Sequence, residues 1–249
     1  MRAGAASTHG SCARCAEMIA VVTGSNRGLG LELCRQCKDR GLTVIAACRQ
    51  TSPALEALGV VCVPGIDVAD PASYGPLVAA CEGKTISILV NNAGTLSQED
   101  VEAMAHESGF EAVRKQLEVN AIGPLAVTAA LRSNLAHGSK VVVITSRMGS
   151  IADNSSGGFY GYRMSKAALN AGSVSLAHDL KGAGIAVGII HPGLVETDMA
   201  VAAFGVKAGV GSTIDTATSV EGIMGRIDRL TLENTGSFWH GVTGEILPW

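Results

Sequence analysis

Ile19-Ala-Val-Val-Thr-Gly-Ser-Asn-Arg-Gly-Leu-Gly30 is the stretch that decides the fold. Ile19–Val22 is apolar, mostly β-branched and without polar alternation, so it reads as a strand buried on both faces. Thr23–Gly30 reads as a tight turn that opens a helix over residues 29–40. Glycines at 24, 28 and 30 let the turn close and let the backbone approach a ligand. The helix start adds free N–H groups and the positive end of its dipole, a place suited to a pyrophosphate. The spacing is Gly-x-x-x-Gly-x-Gly rather than the Gly-x-Gly-x-x-Gly of the usual dinucleotide fingerprint. Gly24, Asn26, Arg27, Gly28, Leu29 and Gly30 are its candidate cofactor contacts.

Outward from this turn, the same rhythm repeats. Thr43–Ala47, Val60–Val63, Ile86–Val90, Val141–Thr145 and Ile185–Ile190 are further short apolar runs, with helix-like spans near 71–82, 109–136 and 163–181. Alternation of this kind predicts an α/β fold: a Rossmann-like, doubly wound parallel sheet of about seven strands with helices on both faces. No linker or repeat divides the chain, so one domain is expected over 18–249, preceded by an extension over 1–17. Residues 194–236 break the rhythm, with a helix-like piece near 217–231, and are expected to form a lid over the strand ends. Ser237–Trp249 is expected to add a last strand and an aromatic end.

Composition removes several classes of function. The chain has 249 residues, 47% hydrophobic and 16% charged, with a net charge of −3, so a packed core is expected and a phosphate-binding basic face is not. Aromatics are only 4%, too few for a base-stacking platform. No apolar run is long enough to span a membrane. Residues 1–16 carry no acid and no apolar secretory core, so a cytoplasmic location is expected, with an organellar transit remnant as the alternative. The seven cysteines are an odd number, which suits reduced thiols. Cys12-x-x-Cys15 and Cys34-x-x-Cys37 have a zinc-ribbon spacing, but the residues between them read as strand, turn and helix, so no metal is expected.

Two more segments carry chemistry. In Gly161-Tyr-Arg-Met-Ser-Lys166, Tyr162 and Lys166 are four apart and share one helix face. A cationic Lys166 there is expected to lower the tyrosine pKa and make it a working proton donor. Tyr160 has Met164 at the equivalent distance and lacks that partner. At the end of the second strand, where an NAD site places an acid, stand Cys48 and Arg49. Arg49 and Arg27 could pair with a 2′-phosphate, which favours NADP(H) over NAD(H).

Ile88-Leu-Val-Asn-Asn-Ala-Gly94 completes a pattern. Thr-Gly-x-x-x-Gly-x-Gly, Asn-Asn-Ala-Gly, a serine and Tyr-x-x-x-Lys, in that order over about residues 18–200, resemble the short-chain dehydrogenase/reductase family. The resemblance implies catalytic roles for Asn120 (holding a water in a proton relay), Ser146 (bonding the substrate carbonyl), Tyr162 (general acid) and Lys166. It implies cofactor contacts at Asp67 and Val68 near the adenine, at Asn91, Asn92, Ala93 and Gly94, and at Pro192, Gly193 and Thr197 near the nicotinamide. Ser146 and Tyr162 are 16 apart rather than about 13, the excess falling in Asp153–Gly158. Ser146-Arg-Met-Gly-Ser-Ile151, Tyr162-Arg-Met-Ser-Lys166 and the final Gly244-Glu-Ile-Leu-Pro-Trp249 resemble the C-factor-like and sniffer-like carbonyl reductase branch. The implied activity is NADPH-dependent reduction of a ketone or aldehyde by a homodimer or homotetramer. The alternative is a catalytically quiet dinucleotide-binding sensor or assembly subunit.

Overall fold

The computed structural model describes residues 17–205 and 213–249. The zinc-spaced Cys12 and Cys15, almost all of the N-terminal extension, and residues 206–212 of the expected lid lie outside the described residues. Seven parallel strands form one sheet: β1 (Ile19–Thr23), β2 (Thr43–Ala47), β3 (Val61–Val63), β4 (Ile86–Asn91), β5 (Lys140–Ile144), β6 (Ala186–His191) and β7 (Phe238–His240). Their spatial order is β3-β2-β1-β4-β5-β6-β7, as expected of a doubly wound sheet. The strand order reverses at β1, so the crevice beyond the β1 and β4 C-termini is where such a fold takes a ligand.

Period-two alternation sends side chains to two cores. Ala20, Val22, Val44, Ala46 and Val142 pack against α1 (Gly28–Asp39) and α8 (Thr216–Arg229), through Leu33, Cys34, Cys37, Ile223 and Met224. Ile19, Val21, Ile45, Leu89 and Val141 pack on the opposite face, against Leu77 of α3 (Gly75–Ala80), Val127 of α5 (Gly123–Ala130) and Leu180 of α6 (Tyr160–Lys181). Cys34 and Cys37 are free thiols inside the first core, where burial pushes both pKa values up. Burial suppresses the thiolate a metal would need. Among the described residues, no group of three or more His, Cys, Asp or Glu is gathered to hold a metal.

The structure departs from the sequence reading in three places. The single helix expected over 109–136 is α4 (Glu107–Leu117), a π-helical turn (Glu118–Ile122) and α5 in succession. Helix α6 starts at Tyr160, three residues earlier than the pattern suggests, because Phe159 adopts a left-handed φ of 52° immediately before it. The short α2 (Pro53–Glu56) and α7 (Asp198–Phe204) have no counterpart in the sequence pattern. Each begins with a side-chain cap, Ser52 on Leu55 N and Thr197 on Ala200 N.

Candidate active site

The glycine turn is locked to the end of β4. Thr23 Oγ1 accepts from Asn92 N (3.0 Å) and Ala93 N (3.1 Å), and Asn92 Nδ2 donates to Thr23 O (2.9 Å) and Gly24 O (3.1 Å). Gly24 (φ 66°) and Gly28 (φ 54°) use the left-handed region that favours glycine. A Cβ on Gly24 would stand 2.7 Å from Ala93 Cα, and one on Gly30 would fall on the Gly24 carbonyl oxygen. Both glycines are thus needed for two loops to meet at the crevice. From the far side Thr197 Cγ2 comes to 3.5 Å of a Cβ placed on Gly28, so the loop after β6 closes the same space.

The expected cofactor residues have protein partners of their own. Asn91 turns its side chain inward to Thr128 Oγ1 (3.0 Å), so its amide does not face the crevice. Asn92 is spent on the glycine turn, which makes it a loop fastener. Asp67 caps Ala69 N through Oδ1 (3.0 Å), and the Val68 carbonyl accepts from the Tyr74 hydroxyl (2.6 Å). Pro192 O accepts from Ser219 Oγ of α8 (2.7 Å), and Gly193 has φ 91°. Arg49 is exposed at the end of β2. Arg27 reaches across the crevice to Asp198, 2.9 Å away at the start of α7. Asn26 and Leu29 lie within the turn itself.

Beyond β5, Ser146, Tyr162 and Lys166 come together. Ser146 is buried and accepts from Met148 N (3.1 Å), and its hydroxyl acts on the Tyr162 phenol. Lys166 Nζ donates to Ile144 O (2.9 Å) and lies 5.8 Å from the centre of the Tyr162 ring. It is also 3.8 Å from a Cβ placed on Gly94, so the ammonium looks into the space above Asn92–Gly94.

The electrostatics correct the expectation for Tyr162. Desolvation pushes its pKa up to about 12, opposed by the hydrogen bond from Ser146. Desolvation also moves Lys166, from its ordinary value down to about 8. Burial disfavours the charged form of each group. The phenol is therefore held protonated at neutral pH, the form an acid must have, while Lys166 is the group brought near the working range. His191 is driven down to about 3, by burial first and then by neighbouring His240 and Arg147. It is neutral at pH 7 and cannot compete as a proton donor.

Asn120 sits in the π-helical turn, fully buried. Its Nδ2 donates to Thr95 O (2.8 Å) and Ser165 Oγ (2.9 Å), and its Oδ1 accepts from Thr95 N (2.8 Å). Both amide hydrogens are engaged by protein, so the side chain braces a loop against α6. The hydroxyl of Ser165 goes on to Tyr162 O (2.8 Å). The sequence reading does not single out Thr95, Ser97, Glu99, Gln116, Ser165 or Asp198. Polar side chains of this kind become informative only once their partners are known.

The long Asp153–Gly158 loop is fastened on three sides. Asp153 pairs with Arg147 (3.0 Å), Ala152 N donates to Trp249 O (2.9 Å), and Arg163 Nη2 donates to Ser156 Oγ (2.8 Å). Phe159, at the end of this loop, meets Phe204 of α7 with ring centres 5.3 Å apart.

Residues 18–206 match the family model for short chain dehydrogenase. The chain is 36% identical to a 1-hydroxy-2-glutathionyl-2-methyl-3-butene dehydrogenase of a Rhodococcus species, over 92% of this chain and 98% of that one. It is 37% identical to the C-signal protein of Myxococcus xanthus, over 68% and 95%. Its fold matches an NADPH-bound carbonyl reductase from chicken fatty liver with a TM-score of 0.80 and 26% identity, covering 94% of this chain and 100% of the other.

Proposed function

The chain belongs to the short chain dehydrogenase family, and on that premise we propose that it is an NADP(H)-dependent reductase of a ketone or aldehyde, able to run in reverse as an alcohol dehydrogenase. The observation that carries this reading is the meeting of Ser146, a protonated Tyr162 and a buried Lys166 beside the glycine-lined crevice.

The residues fit the cofactor. Gly24, Gly28 and Gly94 leave a cradle that any Cβ would narrow, and the start of α1 presents free N–H groups to a pyrophosphate. Arg49 and Arg27 would hold a 2′-phosphate, Asp67 and Val68 the adenine end, and Pro192, Gly193 and Thr197 the nicotinamide end. When bound, NADPH supplies the hydride that reduces the carbonyl carbon. Ser146 donates a hydrogen bond to the carbonyl oxygen and stabilises the negative charge growing there. Tyr162 gives that oxygen its proton, and the Lys166 ammonium stabilises the phenolate left behind.

NADPH stands ahead of NADH because Arg49 follows β2 where an acid would select NAD, and because the chicken carbonyl reductase was solved with NADPH. The Rhodococcus relative is named a dehydrogenase of a hydroxy, glutathionyl compound, which keeps oxidation open as the working direction. Exposed Phe110, Ile122 and Met164 on neighbouring helical segments support self-association as a homodimer or homotetramer. A non-enzymatic sensor or assembly subunit is the second reading, motivated by C-signal. A protonated tyrosine and a tuned lysine have no purpose in that reading.

Thermal unfolding with NADPH or NADH at equal concentration tests the cofactor, since a ligand bound only by the folded state raises Tm in step with its affinity. The larger shift is expected with NADPH, and a larger shift with NADH would reverse the assignment. Tyr162→Phe should keep the NADPH shift and lose about 10²- to 10⁴-fold in kcat on carbonyl substrates. Full activity in that variant would end the proposal.

A further inference from the structure

Glu99 is a carboxylate with 3% exposure that the reaction as described does not use. Its Oε1 accepts from Ser97 Oγ (2.5 Å) and Gln116 Nε2 (2.7 Å), and its Oε2 accepts from Gly161 N (3.2 Å), the residue before Tyr162. Its backbone carbonyl accepts from Phe159 N (2.9 Å), the residue in left-handed conformation just before α6. The segment around it forms a ladder. Thr95, Ser97 and Glu99 alternate along an extended loop, while Gln116 and Asn120 are four apart on one helical run, and Gly161 and Ser165 are four apart on α6. One rung runs Thr95–Asn120–Ser165, and the next runs Ser97–Glu99–Gln116 with Gly161. Tyr162 and Lys166 each follow a rung residue directly.

We propose that Glu99 is a positioning residue that fixes the first turn of α6, and so the placement of Tyr162 and Lys166, by anchoring the Gly161 amide; this rests on the reductase reading above. The chemistry demands a carboxylate, because three donors converge on its two oxygens. A glutamine offers one acceptor oxygen and one NH₂ group. If its oxygen takes Gly161 N, its NH₂ confronts the NH₂ of Gln116. If its oxygen takes Gln116 and Ser97, its NH₂ confronts the Gly161 N–H. Gln116 cannot flip to relieve this, because its Oε1 accepts from Ser97 N (3.0 Å). Gly161 belongs to the same device, since a Cβ there would fall on Gln116 Nε2 and stand 3.0 Å from Val113 Cα. With the anchor lost, the strained Phe159 turn loses a support and the tyrosine helix can fray at the residue that does the chemistry.

Two measurements on Glu99→Gln test this. Hydrogen exchange needs no cofactor or substrate. The amides of Gly161 and its neighbours should exchange about tenfold faster than in wild type, with the β4 and β5 strand amides unchanged. Steady-state kinetics should show kcat falling about 10- to 100-fold, with KM for the carbonyl substrate and the NADPH-induced Tm shift nearly unchanged. A purely architectural role would lower Tm and leave kcat of the folded protein alone. Equal kcat in variant and wild type, or unchanged exchange at Gly161, overturns the proposal. If Glu99→Gln does not fold, Ser97→Ala removes one donor and spares the carboxylate. It should lower kcat about threefold or more, and no loss overturns the proposal equally. A wild type without any turnover would instead overturn the reductase reading, a different result from an active wild type matched by its variant.

Discussion

Lys166 stores a pH-dependent strain that stability measurements can read directly. The residue is 4% exposed, and burial lowers its pKa from 10.5 to about 8. A tenfold change in proton affinity is worth about 1.4 kcal/mol, so holding the charged form inside costs about 3 kcal/mol below pH 8. Above pH 8 the folded protein releases the proton while the unfolded chain keeps it until about 10.5. At this group the folded state then binds fewer protons, and the Lys166 contribution to stability rises with pH across that window. In Lys166→Met the apolar stem is kept and the titration is gone. Losing the hydrogen bond to Ile144 O shifts the variant's stability similarly at both pH values. Between pH 7.5 and 9.5 wild type should gain about 2 kcal/mol on the variant, or about 5 °C in Tm for a chain of this size. Tyr162, raised from 10 to about 12, removes stability only above pH 10 and leaves the window clear. Urea unfolding of both proteins at the two pH values is the assay. Parallel stability curves for the two proteins would refute the burial argument and restore an ordinary lysine.

Other substitutions probe the crevice. Gly30→Ala puts a methyl on the Gly24 carbonyl oxygen and 2.6 Å from Asn92 Nδ2, so it should cost about 1–3 kcal/mol or more in stability and abolish the NADPH-induced Tm shift. A folded variant with the full shift would show that the turn yields more than its contacts imply. Asp198→Asn frees Arg27 from an exposed ion pair worth at most about 1 kcal/mol, so titration should show NADPH binding up to about fivefold tighter, with less change for NADH. Weaker NADPH binding would mean that Asp198 orders Arg27 rather than competing for it.

The sheet was legible because its signals are local. Apolar runs such as Val141–Ile144, the glycine spacing at 24, 28 and 30, and the four-residue step from Tyr162 to Lys166 each state a conformation within a few residues. Family resemblance added the roles of Ser146 and Asn120, and the comparisons bear the family membership out. The helix start at Tyr160 escaped because no local rule places the preceding Phe159 at positive φ.

Sequence by itself therefore determined the parallel sheet and the glycine turn, and singled out Tyr162 and Lys166 as a pair. Tertiary structure alone decided how those groups behave. Asn91 and Asn92 are neighbours in the chain, yet one faces α5 and the other fastens the glycine turn. Whether Tyr162 is raised or lowered depends on how much protein surrounds it, and burial reverses the sign that the spacing to Lys166 suggests. Glu99 meets Gln116 17 positions away and Gly161 62 positions away, and no pattern in one chain encodes such a meeting. Periodicity is written in neighbouring residues, whereas desolvation and buried hydrogen bonds are set by groups that only folding brings together.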